Sequence, residues 1–250
     1  NLRKKKNLIG NFVNFHNRDS MYLEKININD NNYHGFRDFE FKDYSKAIDY
    51  LLKKHPVIRT GSNHKKFLKK NKNFYDFTNK NYNEKELVCF YKYSKYNVMS
   101  FDGVTVLASL FRKKQLYVNL VPFNLDIISN LNPGSIFIPK KIFSKKLNRC
   151  LTFSEMDNLG LNVHTAKEIF KENDFKMLNN SPTEILDAVK EMEKIYDQVN
   201  SFSKMENDII DHFWNSLNKQ SYQKANFYRK KLKLKISPKF LSNNLEMINS

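Results

Sequence analysis

Three short stretches carry side chains able to do chemistry. In Phe12-Val13-Asn14-Phe15-His16-Asn17-Arg18-Asp19-Ser20-Met21-Tyr22 an apolar alternation runs directly into His16, Arg18 and Asp19. A guanidinium at the end of a strand can hold a phosphate through two parallel hydrogen bonds, and a histidine or carboxylate beside it can move a proton. The same residues also fit a loop arginine paired with Asp19 or Glu24. In Val57-Ile58-Arg59-Thr60-Gly61 a β-branched run ends in Arg59 and Gly61, followed by Ser62 and Asn63, all able to donate hydrogen bonds. A satisfied turn with Gly61 at positive φ explains that stretch equally well. In Ser100-Phe101-Asp102-Gly103-Val104-Thr105 a tight turn precedes an apolar run through Phe111. Free N–H groups and the dipole at such a helix start favour an anion, and Gly103 lets a ligand approach the backbone. Asp102 would cap that helix and repel a phosphate, so an ordinary N-cap is the competing reading.

The elements that must position these groups follow from periodicity. Val13 and Phe15 alternate as in a core strand. Tyr44, Ala47, Ile48, Leu51 and Leu52 share one helical face before Pro56 stops the pattern, so strand, helix and strand form a right-handed crossover. Lys25 to Asp38 reads as a long Asn-rich loop. Phe74 to Phe77, Tyr96 to Ser100, Leu116 to Leu120 and Ile136 to Pro139 read as further strands, and Lys140 to Arg149 as a basic run. Asn83 caps a helix running to Tyr93 with Glu84 and Glu86 in its first turn, and Thr152 resembles a cap with Glu155 behind it, opening a short helix that ends at Gly160. Thr165 to Lys171 is a short helix and Phe175 to Leu178 the last strand. Ser181-Pro182 opens a long amphipathic helix with Ile185, Ala188, Val189, Met192 and Ile195 inward. Phe202 to Asn207 reads as a hinge into a helical tail whose Ile209, Ile210, Phe213, Trp214 and Leu217 form a stripe, with Trp214 in the core or at an interface rather than as a sugar-stacking platform. Strands alternating with helices, without repeats, predict an α/β fold: a Rossmann-like, mainly parallel sheet with flanking helices over 1–200 and a helical C-terminal extension over 201–250.

The totals narrow the function classes. In 250 residues, Lys and Arg number 43 against 26 Asp and Glu, a formal charge of +17, which suits nucleic acid, anionic lipid or phosphorylated ligands. The basic residues are dispersed along the chain, which disfavours a nucleic-acid face. Cys89 and Cys150 are far apart and the six histidines show no ligand spacing, so neither a disulfide framework nor a metal centre is expected, and a reducing cytoplasm is the default. No stretch reaches the roughly 18 apolar residues that cross a bilayer. Residue one is Asn rather than Met, from which a longer parent protein is expected.

Taken together, Phe15-His16-Asn17-Arg18-Asp19, Val57-Ile58-Arg59-Thr60-Gly61, Ser100-Phe101-Asp102-Gly103-Val104 with Leu107 to Phe111, Phe137-Ile138-Pro139-Lys140 through Leu151-Thr152-Phe153, and Ile236-Ser237-Pro238-Lys239-Phe240-Leu241 resemble a bacterial glycosyltransferase family. That family has the nucleotide-sugar-binding half of a GT-B-like fold and is distantly similar to fucosyltransferases. The first segment is similar to its His-x-Arg loop, and the segments follow in the expected order over nearly the whole chain. The departure is at Phe101-Asp102, where small hydroxyl residues are expected. The resemblance implies metal-independent sugar transfer from a nucleotide diphosphate sugar to an acceptor hydroxyl, without a cofactor, with the other half-domain lying outside this chain. It implies catalytic His16, Arg18 and Asp19, and donor contacts from Arg59, Gly61, Ser100, Asp102, Gly103, Val104 and Thr105. The implied partners are the donor and a glycan or lipid-linked acceptor, with association at the inner face of a membrane. The alternative is a non-catalytic protein binding nucleotide sugar or nucleic acid through its basic surface.

Overall fold

The computed structural model describes residues 11–18, 35–61, 67, 69–78, 83–121, 123–124, 127–128, 130–161, 166–196, 202–217 and 232–248. Asp19, Glu24, Ser62, Asn63 and most of the Asn-rich loop lie outside the described residues.

The strands are β1 (Val13–His16), β2 (Val57–Thr60), β3 (Phe74–Asp76), β4 (Asn97–Met99), β5 (Gln115–Leu120), β6 (Ile136–Pro139), β7 (Lys141–Ser144), β8 (Arg149–Cys150), β9 (Phe175–Leu178) and β10 (Lys235–Ile236). Seven of them form one sheet in the order β10-β6-β5-β4-β1-β2-β3. Every neighbouring pair in that sheet is parallel. Read from the far edge, the order is 3-2-1-4-5-6, that of the dinucleotide-binding doubly wound sheet, with its reversal between β1 and β4. The expected Rossmann-like α/β architecture is therefore present.

The helices are α1 (Ser45–Leu51), α2 (Glu84–Tyr93), α3 (Thr105–Leu110), α4 (Phe153–Asn158), α5 (Ala166–Glu172), α6 (Pro182–Tyr196), α7 (Lys204–Ser216) and α8 (Pro238–Ser242). One sheet face meets α1 and α6. Phe15 lies edge-on to Tyr44, and Ala47, Ile48, Leu51, Ile185, Ala188, Val189 and Met192 are buried there, while Leu52 is only half-buried. The other face carries α2, through the Phe12–Ile58–Phe90 cluster, and α7, whose Phe213 and Trp214 stack edge-on against Phe137. Because helices cover both faces, every residue of β1, β2 and β4 is buried.

Capping boxes fix the starts of α2 at Asn83, α4 at Thr152 and α7 at Ser203, each with its Glu three residues on. The segment at Phe202 to Asn207 is thus a capped helix start with Phe202 buried, where a hinge was expected. Three further expectations are corrected. Lys140 to Arg149 is more than a basic run: β7 pairs antiparallel with β8 and β9 in a second, three-stranded sheet. Phe175 to Leu178 belongs to that sheet. The last strand is β10, from the tail, which joins the main sheet beside β6 next to the helical elements α7 and α8.

Candidate ligand site at the strand-order reversal

All strands of the main sheet point the same way, so the ends of β1 and β4 open on one edge, at the point where chain direction across the sheet reverses. Ligands of doubly wound sheets bind in that crevice. His16 is the last residue of β1, beside Met99, the last of β4. Asp102 lies just beyond β4, and its Oδ2 is 3.1 Å from His16 Nε2. His16 Nδ1 lies 3.2 Å from the Thr60 carbonyl oxygen on the other neighbour, β2. A carbonyl can only accept, and so can an ionised carboxylate, so this geometry favours protons on both ring nitrogens, the imidazolium form of His16.

Both groups are 9% exposed at the side chain. Burial pulls the imidazolium down, but the Asp102 charge and hydrogen bond together with the Thr60 carbonyl outweigh it, and the His16 pKa lies above its ordinary value. Burial pushes the Asp102 carboxyl up, but His16, the Val104 amide and Arg37 outweigh it and hold it below the carboxylate range. The two directions agree on an ion pair. Tyr44 Oη donates to the His16 carbonyl at 3.0 Å, so the strand end is held from both sides.

Asp102 also organises its own turn. Its Oδ1 accepts from the Val104 amide at 2.9 Å, its carbonyl from Thr105 Oγ1 at 2.5 Å, and Oδ2 from Ser100 Oγ at 3.3 Å. The amide expected to be offered to an anion is already bonded, and α3 is one short turn and a half. Ser100, Asp102, Gly103, Val104 and Thr105 therefore sit at the reversal together with His16 and Arg18.

Arg18 follows β1 and pairs through Nε with Asp38 Oδ1 at 3.0 Å, a partner twenty residues away that the sequence did not suggest. The segment 35–39 lies across the strand ends like a strap. Its Arg37 Nη2 donates to the Phe101 carbonyl at 2.6 Å, and Lys140, directly after β6, donates from Nζ to the carbonyls of Phe36 at 2.9 Å and Asp38 at 2.8 Å. Asn17 Nδ2 donates to the Phe39 carbonyl at 3.2 Å. Burial lowers the Arg37 pKa, Arg18 adds to that, and Asp102 and Asp38 oppose it. Burial takes the Lys140 ammonium down to about 7 against the pull of Asp38 and Asp43.

Arg37, Asp38 and Lys140 were missed by sequence reasoning. Lys140 carried one usable signal, its place directly after an apolar strand, the same position that drew attention to Arg18. Arg37 carried none, because its partner is on a different crossover.

Arg59 is not brought to this edge cluster. In register with Phe15, it faces α1, on the opposite side of the sheet from His16. Its side chain is 1% exposed, its Nη1 lies 3.1 Å from Asp76 Oδ2, and its guanidinium stacks 3.9 Å from the Phe41 ring centroid. That geometry ties β2 to β3 and to the segment before α1. Gly61 directly follows β2 with φ 133°, so the positive-φ explanation of this glycine applies.

Behind the site, polar residues of the buried strands bond to one another, although Asn97 Nδ2 has no hydrogen-bond partner among the described residues. Thr60 Oγ1 donates to Asn14 Oδ1 and Asn14 Nδ2 to Asn97 Oδ1, both at 3.0 Å, with Ser94 Oγ adding a bond to Asn97 at 3.3 Å. This ladder fixes the register of β2, β1 and β4, and hence the separation of His16 from Asp102.

Among the described residues no three His, Cys, Asp or Glu side chains are grouped to hold a metal ion, and no helix is long and apolar enough to cross a membrane. Comparison of the chain with protein-family profiles, with characterised proteins and with solved structures gives no match.

Proposed function

We propose that this chain is the donor-binding part of a glycosyltransferase, taking a nucleotide diphosphate sugar at the β1/β4 reversal and passing its sugar to an acceptor hydroxyl. The observation that carries the reading is the convergence of Arg18, Arg37 and Lys140 with the His16–Asp102 pair on the one sheet edge where this strand order binds nucleotides. As the sugar leaves, the departing diphosphate gains negative charge, and fixed guanidinium and imidazolium groups favour that state over the substrate. Ser100 and Thr105, buried and each donating to Asp102, hold the turn that would face the donor. The dispersed +17 charge suits work at an anionic inner-membrane surface on a lipid-linked or envelope glycan acceptor.

A second reading, binding without transfer, has one observation in its favour. His16 has acceptors on both ring nitrogens, so it orients the loop and carries charge, and it is not poised to take a proton from an acceptor. The base then comes from elsewhere, or no transfer occurs.

The test is thermal stabilisation by a panel of nucleoside diphosphates and diphosphate sugars, since a ligand that binds only the native state raises its stability. The expected result is a selective shift of several degrees at about a hundred times Kd, abolished in Arg18→Ala. Sugar release or transfer assayed with the selected donor separates the two readings. No shift with any nucleotide, together with salt-sensitive binding of DNA or RNA, sinks both.

A further inference from the structure

The cations at the reversal are all bonded in this structure, and their acceptors come from the chain itself. Asp38 is the common element. Its carboxylate takes Arg18, its carbonyl takes Lys140, and its charge acts on Arg37 and Lys140. The Phe36 and Phe101 carbonyls complete the set. Acceptor oxygens presented to two guanidiniums and an ammonium at a nucleotide-binding edge are what a bound diphosphate would present, since its oxygens accept from such donors in the same way.

Two features separate this arrangement from an ordinary structural salt bridge. Arg37 keeps a buried Nε with no hydrogen-bond partner among the described residues, although a guanidinium has donors that should be met when buried. Also, Arg18 lies close enough to Arg37 to disfavour its charge, and together with burial it outweighs the pull of Asp102 and Asp38. An anion carrying more charge than one carboxylate would relieve both.

We infer that Asp38 is an internal competitor for the donor diphosphate: the ligand binds Arg18 and Arg37 by displacing the Asp38 carboxylate from Arg18 and taking up the unmet Arg37 Nε–H. The inference rests on the donor-site reading above and adds to it which groups the diphosphate engages and what it must displace. Lys140 keeps its bonds to the strap carbonyls throughout, so the strap stays anchored to β6 while the carboxylate swings away.

The experiment titrates inorganic pyrophosphate into the wild-type chain, Asp38→Asn, and Asp38→Asn combined with Arg37→Ala, by calorimetry. Asparagine keeps the Asp38 backbone carbonyl on Lys140, and Asp38→Ser serves if the first variant folds poorly by circular dichroism. Removing the competitor is expected to tighten pyrophosphate about fivefold, the scale of one partly exposed ion pair, and Arg37→Ala to cancel that gain. Affinity that is unchanged or weaker in both Asp38 variants overturns the inference, as does a double variant that binds as well as Asp38→Asn. If nucleotide sugars stabilise the wild-type chain while Asp38→Asn leaves pyrophosphate affinity unaltered, only the competitor is lost and the donor site stands. If neither kind of ligand binds any of the proteins, both readings fall together.

Discussion

A histidine that faces acceptors on both nitrogens is fixed in charge as well as in position, and His16 is such a residue. Its raised pKa means that its stabilising effect is full below the ordinary histidine range and disappears as pH rises through the raised value. The lowered pKa of Asp102 means that its share is full above the ordinary carboxylate range and disappears as pH falls through the lowered value. The pair therefore contributes most between those ranges. Asp102→Asn is expected to lower stability by roughly 1–3 kcal/mol near pH 5.5, with the difference from wild type shrinking in strong acid and above the histidine range. Denaturant unfolding across pH measures it, and a difference that stays constant with pH would sink the ion-pair assignment. His16, Arg18 and Asp102 were visible in the sequence because each follows a recognisable strand, and strand ends are where such sheets do chemistry. Arg37 and Lys140 were not, since what makes them notable is contact across long sequence separations, 64 residues for Arg37 with Phe101 and 102 for Lys140 with Asp38. Asn14 and Asn97 look like polar interruptions of apolar strands, and only the strand register turns them into a hydrogen-bonded pair.

At the scale of elements, the stretch after β4 shows how far local pattern carries. A turn followed by a helix was legible from Asp102-Gly103 and the apolar run. What was not legible is that α3 spans only Thr105–Leu110 and leaves Val106 and Leu110 exposed, because periodicity marks an apolar face without saying whether anything covers it. Similarly, β7 was hidden among lysines, since its alternate residues Ile142 and Ser144 are buried while the rest are half-exposed. Gly103 separates structural from functional need in this turn. Its φ is not positive, and a Cβ added there meets nothing within 4 Å, so the fold has no use for the missing side chain. Gly103→Ala is expected to leave stability within about 0.5 kcal/mol of wild type. If a donor phosphate approaches this backbone, the same substitution reduces stabilisation by the selected nucleotide. A variant that is stable and binds nucleotide as the wild type does would remove Gly103 from the site.

For the whole molecule, the two edges of the sheet divide the labour, and α6 carries much of the load away from the ligand edge. Glu193 on α6 joins His55, before β2, at 2.9 Å and Lys95, before β4, at 3.4 Å. Two residues earlier on the same helix, Glu191 Oε1 accepts from the Lys239 amide at the start of α8, at 2.8 Å. These neighbours titrate in opposite senses. Burial alone would push Glu193 up, but His55 and Lys95 hold it at about 2, so its contribution is lost only as pH falls from the ordinary glutamate range toward that value. For Glu191, burial wins over the Ser237 and Lys239 bonds, Glu206 and Asp187 add to it, and the carboxyl rises from 4.5 to about 7. Its protonated form is thus the one the fold prefers. Between those two values the unfolded chain has released a proton that the folded chain retains, so stability falls with rising pH until Glu191 ionises. Lys140 acts in the other direction above about 7, where the folded chain gives up its proton before the unfolded one does. Glu191→Gln keeps an acceptor for the Lys239 amide and removes the ionisation. It is expected to be more stable than wild type at about pH 8 by roughly 1–3 kcal/mol, and to lose that advantage in mild acid, where Glu191 is neutral in both states. Melting temperatures of the two chains across pH decide it. An advantage that persists unchanged at about pH 4 would mean that the substitution acts through packing of α6 against α8, with no contribution from the buried charge.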